Sequence, residues 1–120
     1  MNRRQQEARE DKTRWYEQRR QAYVNLVGAA SGVFDTMQDV YPTRPSEAEV
    51  RQELNVLQTT MAQVRLVGSP EVNTKADELC AVALSRNRST NDKLAAHKVF
   101  GIARTAFEQA ARHDLGHPSQ

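Results

Sequence analysis

The chain has 120 residues, of which 38% are hydrophobic, 27% charged and 6% aromatic, with a formal net charge of +2. That length supports one domain burying roughly two thirds of its unfolded surface, and a composition poor in Gly, Pro and alternating β-branched runs, with apolar positions at helical spacing, favours a helical bundle over a sheet protein. The one cysteine, Cys80, excludes an internal disulfide and disfavours a thiolate metal site.

No stretch approaches the roughly 18 apolar residues of a membrane span, and the Arg- and Gln-rich beginning is no secretory leader, so a cytoplasmic protein is expected. Charge is uneven: residues 1–23 hold seven basic and four acidic side chains, about +3, and the remainder is near −1. Residues 2–14 are almost devoid of apolar side chains, yet Arg3 with Glu7 and Glu10 with Arg14 stand four apart, as pairs that support an exposed helix.

From Trp15 onward an apolar stripe runs through Tyr16, Tyr23, Val27, Ala30, Phe34, Met37 and Tyr41 at helical spacing, with Ala22, Leu26, Ala29 and Val33 beside it. Gly28 and Gly32 predict a close crossing or slight bend. Tyr41-Pro42-Thr43-Arg44-Pro45 predicts the end of this first helix.

Ser46 followed by Glu49 is a capping box opening a second helix. Val50, Leu54, Leu57, Met61 and Val64 form its narrow seam. Gly68 is expected as a left-handed cap, and Ser69-Pro70 restarts the chain as a third helix with Val72, Ala76, Leu79 and Ala83 on one face and Cys80, Val82 and Leu84 beside it. It gives way near Arg86 to a polar turn, Asn87 to Asn91. Ser89 or Thr90 then caps a fourth helix whose inner face is read as Leu94, Ala96 or His97, Phe100, Ala103, Phe107 and Ala110, ending at Leu115-Gly116 before Pro118.

Short connections imply a four-helix antiparallel up-down bundle with a long, N-terminally projecting first helix. The organisation is read as a polar, Arg-rich helical extension at 1–21, the bundle at 22–116 and a short tail at 117–120.

No motif for catalysis, cofactor or metal emerges. His113 and His117 stand four apart but straddle a helix end. His97 has no nucleophile or carboxylate at a suggestive position and reads as a boundary histidine. Cys80 on an apolar face reads as a small packed hydrophobe, and Gly28-Ala29-Ala30-Ser31-Gly32 lacks the strand and lysine of a phosphate-binding loop.

The extension remains. Trp15, Tyr16, Arg19, Arg20 and Tyr23 are expected to contact a protein partner or a second copy, because aromatic and Arg side chains dominate interface anchors and a large exposed ring on a charged rod calls for cover. Nucleic-acid or anionic-membrane-surface binding through the basic helix is the alternative, weakened by four interleaved acids.

Trp15 to Tyr23, Leu66-Val67-Gly68-Ser69-Pro70-Glu71-Val72, and Phe107 to Ala111-Arg112-His113-Asp114-Leu115-Gly116 together resemble a group of helical proteins common in actinobacteria and their phages. The resemblance spans about residues 9–116 and rests on caps and packing positions, so it implies a fold and no catalytic residues. Many members carry a transmembrane helix ahead of the Arg-rich segment, which implies a juxtamembrane stalk at residues 2–21; here that anchor is either lacking or lies outside this sequence.

Overall fold

The computed structural model describes residues 3–37, 46–84 and 90–116, with backbone alone at 3–8, 11 and 90–93. These residues form four helices and no strand: α1 (Arg3–Met37), α2 (Glu47–Val67), α3 (Pro70–Ala83) and α4 (Thr90–Gly116). The expected Pro42/Pro45 stop, the turn from Asn87, the Ser89 cap and His117 lie outside the described residues.

Local chemistry sets the helix ends. Ser46 accepts a hydrogen bond from the Glu49 amide at 3.2 Å, and Ser69 accepts one from the Val72 amide at 3.2 Å, with Pro70 in the first turn, so each serine satisfies an amide that lacks a helical partner. Gly68 departs from expectation: its φ of −84° and ψ of 154° are extended, not left-handed. Space is the reason for glycine there, since a Cβ would stand 2.8 Å from the Val64 carbonyl oxygen and 3.1 Å from Val72 Cγ1.

α1 is one continuous helix through Gly28 and Gly32. The glycines do not mark a close backbone approach: at Gly32 the nearest atoms a Cβ would meet belong to the Glu53 side chain of α2, its carboxylate at 2.6 Å, and Gly28 has open space. Its buried face is Ala22, Tyr23, Leu26, Ala29, Ala30, Val33 and Phe34, the two adjacent stripes of the sequence pattern merged into one broad arc.

The α2 seam buries Leu57 and Val64, with Leu54 and Met61 partly covered. It also buries Thr60, whose hydroxyl donates to the Leu57 carbonyl at 2.9 Å. α3 buries Val72, Ala76, Leu79, Cys80 and Ala83, and α4 buries Ala96, Phe100, Phe107, Ala110 and Ala111.

Leu94 is a correction to the expected inner face of α4: it is 67% exposed. The six residues from Leu94 to Phe100 do not complete two turns, whereas Ala96 lies one turn before Phe100 on the same face. Val99 and Ile102 join Leu94 outside, so α4 carries apolar side chains on its outer surface as well.

Packing is uneven. α1 lies chiefly on α2 and α3 chiefly on α4; α1 also meets α3 and α4, and α2 does not touch α4 among the described residues. The consecutive helices α2 and α3 touch each other least of the contacting pairs. Ascending α1, Tyr23 meets Phe107 while Phe34 meets Phe100 and His97, so α1 and α4 run in opposite directions. The result is flattened and long, 63 × 27 × 19 Å, with a radius of gyration of 17.3 Å, against about 14 Å for a compact domain of this length.

Candidate functional site

The reactive side chains are quiet. Cys80 is buried, and burial, reinforced by Asp77, pushes its thiol up to about 11, so it is protonated and unreactive at neutral pH. His97 is exposed, with its ring edge-on to Phe34 at a centroid distance of 5.0 Å; Ala96 takes the buried position beside it. No group of three or more His, Cys, Asp or Glu among the described residues is arranged to hold a metal ion, and none of the described helices is long and apolar enough to cross a membrane.

The five residues singled out on α1 separate into three environments. Trp15 is 49% exposed and Tyr16 43% exposed. They are neighbours in sequence but point about 100° apart around the helix axis. Trp15 continues the line of Ala22 and Leu26, while Tyr16 continues that of Arg20 and Tyr23.

Tyr23 is 3% exposed and belongs to the core, its ring edge-on to Phe107 at 6.0 Å. In this fold it is therefore not an exposed contact: about two turns beyond Tyr16, α4 covers the same face of α1. Its hydroxyl donates to the Asp114 carboxylate, which also accepts a hydrogen bond from Arg19. Burial lowers the Arg19 guanidinium, but its bonds to Asp114 and Tyr23 outweigh that and leave it raised. Burial first, and the Asp114 carboxylate next, push the Tyr23 phenol up to about 12.

Arg19 is thus committed to Asp114, with its Nε buried and without a hydrogen-bond partner among the described residues. Arg20 remains at the surface, paired within its own helix to Glu17 at 3.3 Å. The cluster pins α1 to the last turn of α4; between Lys12 and Gln18, α1 is exposed.

On one side of this cluster α1 and α4 part to leave an open groove of about 250 Å³. Its walls are apolar: Tyr23, Val24 and Val27 from α1, and Phe107, Ala111 and Leu115 from α4. Val24 is 54% exposed. Arg20 stands on the α1 rim, and Glu108 and Arg112 stand on the α4 rim.

Sequence reasoning overlooked Val24, Glu108, Arg112 and Leu115 as a surface. A partial signal was present in Tyr16, Arg20, Val24 and Val27, spaced four, four and three along one face of α1. The α4 wall had none, because its distance from α1 along the chain hides the pairing. Comparison with protein-family models, with curated proteins and with solved structures finds no match.

Proposed function

We propose that this chain is a non-enzymatic interaction module of the cytoplasm that binds another protein, or a second copy of itself, through the exposed part of α1. The observation that carries this reading is the pair Trp15 and Tyr16, each more than two fifths exposed on the stretch of α1 that extends the core-facing arc. Aromatic rings presented this way lose little conformational entropy on binding and supply the area that anchors an interface. Arg20, held only by an exposed intrahelical pair of small worth, is free to exchange its partner.

The test is capture of binding proteins by the full chain beside Trp15→Ala and Tyr16→Ala, with and without nuclease, at low and high salt. A protein retained by the native chain, indifferent to nuclease and lost with either aromatic, supports the reading. Retention that disappears with nuclease and falls steeply with salt assigns the surface to nucleic acid, as counterion release requires. Equal capture by all three chains overturns the reading.

A further inference from the structure

We infer that the groove between α1 and α4 is a docking site for an amphipathic helix of a partner protein, with aliphatic side chains on its inner face and carboxylates on its flanks. The inference deepens the association reading by naming the chemistry of the partner.

Shape comes first. The groove is about 250 Å³ and open along one side, whereas small-molecule sites enclose most of their ligand in clefts of roughly 300 to 1,000 Å³. An open furrow between two helices receives the ridge of a third, as helix-in-groove recognition requires. Its walls are nearly all apolar, and Val24 is more exposed than covered.

Length comes next. Tyr16 lies one turn beyond Arg20 on the same face, so the strip from Tyr16 to Val27 runs about 16 Å at 1.5 Å per residue, the span of about three helical turns.

Charge decides the flanks. Arg20 faces the groove from α1 and Arg112 from α4. The one carboxylate on the α4 rim, Glu108, is shared between Arg104 at 3.6 Å and Arg112 at 3.9 Å, and Arg112 is 80% exposed. The groove lining therefore holds two guanidiniums, Arg20 and Arg112, against one carboxylate, Glu108, while Glu17 pairs with Arg20 from outside the lining. These loose, exposed pairs cost little to exchange, and carboxylates on the incoming helix complete both rims.

The experiment titrates the full chain with two synthetic helical peptides of about three turns. Both carry leucines at i, i+4 and i+7; one is flanked by glutamates and the other by lysines. The methyl NMR signals of Val24, Val27 and Leu115 report the site. The glutamate peptide is expected to move those signals and to bind at least tenfold tighter than the lysine peptide. Val24→Asp weakens it at least tenfold, and the double change Arg20→Glu with Arg112→Glu reverses the preference. These three side chains are exposed, and unchanged helicity in the variants verifies the fold.

Equal affinity for the two peptides, signals that move at Val99 and Ile102 instead, or no binding up to about 1 mM overturns the inference. A concentration-dependent dimer abolished by Val24→Asp without peptide also overturns it, by making a second copy the occupant. Loss of protein capture in Trp15→Ala, with peptides that never bind, removes the groove and leaves association standing. Groove binding with capture unchanged in Trp15→Ala and Tyr16→Ala does the reverse.

Discussion

A methyl group added at Gly68 lands 2.8 Å from a backbone oxygen, and one added at Gly28 lands in open space. Gly68→Ala is therefore expected to destabilise the fold by about 1–3 kcal/mol through overpacking. Gly28→Ala should stabilise it by about 1 kcal/mol through helix propensity. Urea unfolding of the two variants checks both signs, and a neutral Gly68→Ala would refute the steric account of the link. Tyr23 offers a second handle at this scale. Its phenol is pushed from 10.0 up to about 12 in the folded state, so the folded protein holds that proton more tightly than the unfolded chain. The associated stability is complete below pH 10 and is lost as pH rises toward 12. Cys80, raised from 9.0 to about 11, adds a loss of the same sign beginning near pH 9. Unfolding midpoints measured against pH should fall less between 10 and 12 in Tyr23→Phe, and less between 9 and 11 in Cys80→Ala.

Among the elements, α3 depends on its cap and α1 on its tie to α4. Ser69 serves the link twice, its hydroxyl accepting from the Val72 amide and its carbonyl from the Asn73 amide at 2.9 Å. Ser69→Ala removes the first bond and is expected to cost about 1 kcal/mol, read from the urea midpoint. Asp114 takes the hydrogen bonds of both Arg19 and Tyr23. Asp114→Ala leaves a part-buried guanidinium and a buried hydroxyl without their acceptor, a loss of about 1–3 kcal/mol. Hydrogen exchange should then quicken most around Arg19 to Tyr23 and in the last turn of α4, and a uniform change along all four helices would argue against a local tie.

For the molecule as a whole, the arrangement is two helix pairs, α1 with α2 and α3 with α4, joined chiefly by the contacts of α1 with α3 and α4. α1 and α3 each meet all three other helices among the described residues, and the tie of α1 to α4 rests on few large groups: Tyr23 on Phe107, and Phe34 stacked on Phe100 at 4.3 Å with the rings 9° apart. Phe34 is also among the largest fully buried side chains. Phe34→Ala is expected to cost about 3–5 kcal/mol, a large share of the roughly 5–15 kcal/mol typical of a domain. A thermal melt followed by circular dichroism should show a lower midpoint, and an unchanged midpoint would place the join elsewhere. The same sparse packing leaves the groove beside Val24 open, so the way the pairs meet and the surface they offer have one cause.

The helices, the two serine caps and the buried positions of α3 were legible in the residues, because caps and helical stripes depend on neighbours three or four apart in sequence. Thr60, Leu94 and Tyr23 were harder. Thr60 shares the α2 arc with Met61, the apolar pattern offers Leu94 an inner face that its spacing from Phe100 does not reach, and helical spacing groups Tyr23 with Tyr16 although only one of them lies beneath α4. Tertiary structure alone decided that Asp114 binds Arg19 and Tyr23, residues 95 and 91 positions away, and that the groove has a wall on α4. It also decided why Gly68 is glycine, since the atoms that exclude a side chain include Val72 and Asn73 from the next helix. Helical periodicity states which face of a helix is apolar, but it carries no information about how far along that face the next helix reaches; that length of overlap separates buried Tyr23 from exposed Tyr16.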